Sequence, residues 1–330
     1  VQHSPLVSIL IPLYNAEKYI AQTIESGLAQ TWPNKEIIVI NDGSTDNSLK
    51  VARSFENRGV IVIDQPNAGC SAAKQAAYER SKGDFIQYLD ADDILSPDKI
   101  AAQMELLLQQ PHKLAVCRTA YFFDEEDYRL SSPSPNTYFL DSLDDPIEFL
   151  IRLYGGNGQG GMIQPNAFLT PRTIADQAGP WDISISPSPD EDGEYFCRII
   201  LASQGVVYSQ KGINYYRKRR KGGSLAGLSS HRGMKGALRS LELKGRHLLS
   251  RTNDERARMA VAASYFHFAI RTFCYYRDLS EQALRFMEDL RVMPPIPRMG
   301  GPILEIIKHI FGWKMASLCS FYYRNLLSKL

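Results

Sequence analysis

The chain is poor in cysteine: five in 330 residues, at positions 70, 117, 197, 274 and 319, with no CxxC pair. That spacing excludes a disulfide framework and a zinc site, and it favours a reducing compartment. No GxGxxG follows the first apolar run and no GxxxxGK[ST] occurs, so the dinucleotide fingerprint and the P-loop are both missing. There is no internal repeat. No secretory leader is expected at the start, because Val7 to Leu13 runs into Tyr14-Asn15 and not into a cleavage site. Long apolar runs are missing as well: in the tail the longest uncharged stretch, Met315 to Tyr323, is far short of the ~20 residues of a membrane span. Net charge is only +2, but the sum conceals an asymmetry. Residues 203–330 carry 23 Lys and Arg against 8 Asp and Glu, a balance of +15, whereas residues 1–202 carry 15 against 28, or −13. A basic last part points to a tail that faces something anionic.

What is present is a core-forming chain, 44% hydrophobic, with a regular alternation in its first hundred residues. Val7 to Leu13 and Lys35 to Ile40 are short, nearly continuous apolar runs, as expected of strands buried on both faces. Val60 to Ile63 and Phe85 to Leu89 are two more. Between them, 16–30, 47–57 (capped by Thr45 or Asp46) and 70–82 read as helices, and Ser96 with Pro97 reads as the start of a fourth. The alternation predicts an α/β fold with a mainly parallel, doubly wound sheet. In such sheets ligands bind at the carboxyl ends of the strands. Tyr14-Asn15, Asn41-Asp42, Asn67 with Gly69, and Asp90 to Asp93 all fall there. Asp90 and Asp92 are two apart, so on extended backbone their carboxylates leave on one side. Mg²⁺ and Mn²⁺ often take one or two carboxylates while a substrate diphosphate supplies the other oxygens. A lone acidic loop is usually no more than solvated; four polar clusters at strand ends favour a site.

These motifs carry a resemblance. PLYN at 12–15, NDGSTD at 41–46, NAGCSAAKQAA at 67–77 and LDADD at 89–93, in that order, resemble the nucleotide-sugar half of family 2 glycosyltransferases with the GT-A fold, over about residues 5–110. Gln164 to Leu169 and Gly179-Pro180-Trp181-Asp182 resemble the family's approach to its ED motif, and Asp190 to Arg198 the motif itself. Ile213 to Arg217 with Gly223-Ser224 resemble its closing YR…S element. The resemblance implies a catalytic domain over 1–224 (nucleotide-sugar half 1–110, acceptor half 111–224) and a helical extension over 225–330. It implies inverting transfer of a sugar from a nucleotide sugar, UDP-linked as the first expectation, to a hydroxyl of a saccharide or lipid-linked acceptor. Pro12, Tyr14, Asn15, Asp42, Lys74, Asp90, Ala91 and Asp92 would contact the donor, and Asp92 and Asp90 would hold Mn²⁺ or Mg²⁺. Asp192 would be the base, with Glu191 next in line and then Asp190; Trp181, Arg217 and Ser224 would stand on the acceptor side. The family usually has Arg-Asn where this chain has Lys74-Gln75, which keeps the charge and loses bidentate geometry. Two other readings stand beside this one. A sugar nucleotidyltransferase would carry a Gly-rich basic signature where Leu13-Tyr14-Asn15-Ala16 stands, and an idle carbohydrate- or membrane-binding module would not need Asp42, Asp90, Asp92 and Asp192 intact.

The remaining stretches are less specific. Gly155 to Gly161 holds five glycines in seven residues, either a surface loop or a lid over the acceptor side. Helices are expected over 254–277 and from a Ser280 cap to 291, then a proline-rich linker over 293–302. Residues 303–330 form a last apolar helix with interspersed lysines and arginines, which lies on an anionic membrane, packs on the body, or pairs with another copy. The expected setting is cytoplasmic, peripheral at the inner face of the cell membrane, with no nucleic-acid partner.

Overall fold

In the computed structural model, which describes residues 4–134, 141–158, 160–219 and 230–327 with side chains as far as 323, the apolar runs become strands. The chain runs β1 (Val7–Leu13), α1 (Ile20–Leu28), β2 (Lys35–Asp42), α2 (Ser48–Arg53), β3 (Val60–Gln65), α3 (Cys70–Arg80) and β4 (Phe85–Tyr88). All seven residues of β1 are buried, because helices cover both faces of its sheet. β1 lies parallel between β2 and β4, and β3 is parallel to β2. There follow β5 (Ile94–Leu95), α4 (Lys99–Leu107), β6 (Leu114–Phe123), α5 (Pro146–Leu153), β7 (Phe168–Pro171), α6 (Arg172–Ala178), α7 (Glu191–Ala202) and β8 (Val206–Lys218). Among the described residues one eight-stranded sheet results, in the order β3-β2-β1-β4-β7-β6-β8-β5. Its first half is parallel; β7 joins the halves by pairing antiparallel with both β4 and β6.

Alternate residues of the central strands feed two core layers. Ile9, Ile11, Ile37 and Val39 pack with Ile24 and Ile100 on one face, while Leu10, Ile38 and Ile40 pack with Ala73, Ala77 and Phe149 on the other. The second layer does not stop at β8. It continues through α8 (His231–Leu249), α9 (Glu255–Thr272) and α10 (Arg277–Asp289), by way of Met234, Leu238, Ala262, Phe266, Ala283 and Met287. α11 (Pro302–Leu327) is broken at Gly312, whose φ of +81° lies in the left-handed region. After the break Trp313 packs edge-on against Phe266 and Phe273, whereas Ile303, Ile306 and Ile310 before it, three and four residues apart, are exposed. No described helix is long and apolar enough to cross a membrane.

Two local expectations differ from the fold. Ser96-Pro97 does not open a helix: Ile94-Leu95 pairs with β8, Ser96 exchanges backbone and side-chain hydrogen bonds with Ile213, and α4 starts at Lys99. Ser280 lies inside α10, where its hydroxyl donates to the Ala269 carbonyl (2.9 Å). Each is settled by a distant partner that local sequence does not reveal.

Candidate active site

The carboxyl ends of β1, β2 and β4 open into one cleft. Asn15, with φ of +45°, ties the first two strand-end turns together: its Oδ1 accepts from the Thr45 N–H (2.8 Å) and its own N–H donates to Ser44 Oγ (3.1 Å). Asp42 is 2% exposed and serves as a hub. Its Oδ1 accepts from Gln65 Nε2 (2.8 Å) and the Ala68 N–H (2.9 Å), and Oδ2 accepts from the Gly69 N–H (2.9 Å). Oδ2 thus keeps lone-pair capacity toward the cleft. Gly43, at φ +68°, allows the close approach of the 67–69 turn, since a Cβ there would stand 2.7 Å from the Asn67 nitrogen.

β4 ends at Tyr88 and the acidic loop turns at Ala91-Asp92, so the extended backbone expected for Asp90 and Asp92 is replaced by a turn. Its scaffold is a buried asparagine. Asn166 Oδ1 accepts from the Asp90 N–H (2.9 Å) and its amide nitrogen donates to Asp93. Asp93 also accepts from the Arg217 N–H (2.8 Å), and burial together with Asp92 and Asp90 pushes its pKa well up. Asp90 and Asp92 remain at the cleft, and each already faces a cation. Lys74 Nζ lies 3.6 Å from Asp90, and Arg219 donates to Asp92 Oδ2 at 2.8 Å. Among the described residues no group of three or more His, Cys, Asp or Glu is set to hold a metal ion. The two carboxylates are nonetheless hard oxygen donors of the kind Mg²⁺ and Mn²⁺ take when a diphosphate completes the shell.

The other wall is the N-terminus of α7, where the dipole favours negative charge. Four acids crowd there with different partners. Asp190 receives Lys244 Nζ (2.5 Å), and Glu191 receives both the backbone N–H and the hydroxyl of Ser71. Glu194 accepts from Arg198 Nε (2.7 Å) and lies 3.0 Å from His247 Nε2; burial pushes its pKa up, but these hydrogen bonds outweigh that and bring it down to about 2. Asp192 meets the side chain of Lys74. Burial raises the pKa of Asp192 and the Lys74 charge only partly offsets it. Burial works to lower the Lys74 amine, yet Asp192, Cys70, Asp90 and Glu191 around it outweigh that and hold it well above its usual value. One ammonium among three carboxylates accounts for both directions.

A single cavity of about 1690 Å³ joins these groups. Pro12, Tyr14, Asp42, Lys74, Asp90, Ala91, Asp92, Glu191 and Asp192 all line it. The lining also takes in Met162, Met259, Ala263, Pro295 and Ile296, interspersed with Lys244, Ser264 and His267, and the glycines of 155–161. Three of the expected residues stand back from that wall. Asn15 fixes the turns as described. Trp181, 4% exposed, stacks on Tyr195 (3.9 Å between centroids) and lies beneath Lys74, whose Nζ is 4.9 Å from its ring. Arg217 braces the acidic loop, donating to the Asp92 carbonyl (2.8 Å) and Gln22 (2.7 Å). Ser224 lies outside the described residues. Sequence reasoning did not single out Asn166, Ser71, Arg219, Ser240 or Lys244. Asn166 and Ser71 sat inside stretches already noted and Arg219 two residues beyond one; Ser240 and Lys244 carried only a four-residue spacing on a polar helix.

Residues 8–164 match the family model described as Glycosyl transferase family 2. An uncharacterized glycosyltransferase of Rickettsia prowazekii (strain Madrid E) is 31% identical over 192 residues, so the match spans 58% of this chain and 58% of that protein. Among solved structures, TarS 1–349 of S. aureus in complex with UDP-GlcNAc superposes with a TM-score of 0.65 at 16% identity, over 97% of this chain and 91% of that one. The mannosyltransferase PcManGT from Pyrobaculum calidifontis, in complex with GDP-Man and Mn²⁺, gives 0.52 at 12% identity, over 99% and 81%. At these identities the structural likeness is one of fold.

Proposed function

We propose that this chain, a member of glycosyl transferase family 2 with the GT-A fold, moves a sugar from a nucleoside diphosphate, UDP foremost, to an acceptor hydroxyl with inversion, Asp192 taking the acceptor proton. One observation carries the assignment of the base. Of the four acids at the start of α7, Asp190, Glu191 and Glu194 are held by Lys244, Ser71 and Arg198; Asp192, which lines the cavity with Asp190 and Glu191, pairs instead with Lys74, the buried ammonium that also faces Asp90 on the donor side. In the step proposed, the acceptor oxygen attacks the anomeric carbon as its proton passes to Asp192. The bond from that carbon to the diphosphate breaks, and the electron pair leaves with the diphosphate. A single displacement inverts the centre and needs no covalent nucleophile. A carboxylate base whose pKa is raised by burial accepts a proton more readily than an exposed one.

The donor end is supported by Asp42, Tyr14 and Lys74 on one wall, and UDP by the UDP-GlcNAc complex of the fold neighbour. Asp90 and Asp92 would hold Mn²⁺ or Mg²⁺, as the Mn²⁺ complex of the second neighbour suggests, with Arg219 withdrawing from Asp92. Such an ion supplies positive charge for the departing diphosphate. Met162, Met259, Ala263 and Ile296 in the cavity lining suit an acceptor that carries an apolar portion, and the exposed isoleucines of α11 with the basic tail suit attachment to an anionic membrane. A screen of UDP-, GDP- and dTDP-sugars with Mn²⁺, read as release of free nucleotide, tests the proposal. Release of UDP from a UDP-sugar is the expected result. Pyrophosphate from UTP and a sugar phosphate would mark a nucleotidyltransferase, and no release from any donor would mark an idle binding module.

A further inference from the structure

The four acids at the start of α7 are not all held by the sheet domain. Two of them are held by α8, which lies beyond the family-matched segment and whose sequence resembles no motif. Gly236, Ser240, Lys244 and His247 are spaced four, four and three apart, so they lie on one face of the helix. Each does something different at the turn before and after Asp192.

Gly236 lets the helix approach the loop leading into that turn. A Cβ there would collide with the Ile185 carbonyl and come within 3.0 Å of the Pro187 carbonyl. Ser240 Oγ donates to the Asp190 carbonyl (2.7 Å) and lies 2.9 Å from its Oδ2. Lys244 Nζ, its side chain 12% exposed, donates to the same Oδ2 (2.5 Å). One turn on, His247 Nε2 lies 3.0 Å from Glu194 Oε1. Residue 193 is glycine, and any side chain there would strike the Asp190 carboxylate and crowd Lys244 Nζ at 3.0 Å. The helix thus grips residue 190 and residue 194, the positions two before and two after Asp192.

We infer that α8 is part of the catalytic centre, Lys244 and Ser240 being positioning residues that fix the turn carrying Asp192 through their bonds to Asp190. The inference rests on Asp192 being the base of the transfer proposed above. Lys244 also neutralises Asp190, one of the carboxylates whose charge acts on Asp192. Without it, the Asp190 charge is free to repel the ionised base and the turn loses its two-sided anchor. A shift of about 1 Å in a reacting group costs about 10²-fold in rate, so a loosened turn shows itself in turnover before it shows in binding.

The test uses the full chain as wild type, Lys244→Met, Lys244→Arg and Ser240→Ala. Three quantities are measured for each: turnover as nucleotide release, UDP affinity by calorimetry, and melting temperature. We expect Lys244→Met to lower turnover by at least about tenfold with UDP affinity and melting little changed. Lys244→Arg should recover part of the loss, and Ser240→Ala should lose turnover in the same sense to a smaller extent. Should Lys244→Met fail to fold, Ser240→Ala decides alone. Wild-type turnover in either folded variant, or a fall in turnover that merely follows a fall in UDP affinity and melting, overturns the inference. A wild-type chain that binds no UDP and releases no nucleotide overturns the parent reading instead, and the inference with it.

Discussion

Lys74 is 1% exposed, yet it faces Asp90, Asp192 and Glu191 and lies over the indole of Trp181. A buried ammonium of this kind is stable only because the acids around it outnumber it, and the acids are tolerable only because it is there. The same reasoning applies to Asp92 and Arg219, whose pair is more open to solvent. A divalent ion arriving with a diphosphate offers Asp92 a stronger partner than Arg219. UDP binding should therefore depend on Mn²⁺ or Mg²⁺, with affinity falling by at least about tenfold, or 1.4 kcal/mol, in EDTA. Calorimetric titration of UDP with and without Mn²⁺ measures this. Equal affinities would remove Asp92 from the metal role and leave Lys74 and Arg219 as the diphosphate's partners.

Among the elements, α11 has the least settled surroundings. Its second half packs through Trp313 on α9, which satisfies part of the choice between body, membrane and second copy. Its first half presents Ile303, Ile306 and Ile310 to solvent, shortly after the Pro295-Ile296-Pro297 segment that lines the cavity. A basic residue near an anionic surface contributes about 1 kcal/mol, and the buried isoleucines would add apolar area. The full chain should float with anionic liposomes at low salt and not with neutral ones, and a chain ending at Arg291 should stay at the bottom. Equal sedimentation of the full chain with both liposomes would assign the stripe to another copy or to the body. α8 shows why an element's role is hard to see beforehand: its sequence is an ordinary polar helix, and only the fold brings its Ser240 and Lys244 to Asp190, fifty residues earlier in the chain.

Across the whole molecule, legibility follows the sequence distance of the contacts. β1 to β4 and their helices were legible because each strand–helix–strand unit is local and its apolar runs are buried on both faces. Pro12, Tyr14, Asp42, Lys74, Asp90 and Asp92 are named from motifs that follow strand ends and Asp192 from a motif that opens a helix, and the fold brings them to one cavity. The mixed half of the sheet was not legible, since β5 pairs with β8 more than a hundred residues on and β7 is set between β4 and β6. For the same reason Trp181 and Arg217 were expected at the acceptor but lie behind Lys74 and the acidic loop, where partners from elsewhere in the chain hold them. On the function proposed, this cavity performs a displacement for which Asp192 is the base. Its most direct test is the rate of nucleotide release from the preferred UDP-sugar by wild type and Asp192→Asn, with UDP affinity measured alongside. A loss of about 10²–10⁴-fold in rate with UDP affinity nearly unchanged is expected; an Asn variant that keeps the wild-type rate would remove Asp192 from the role of base.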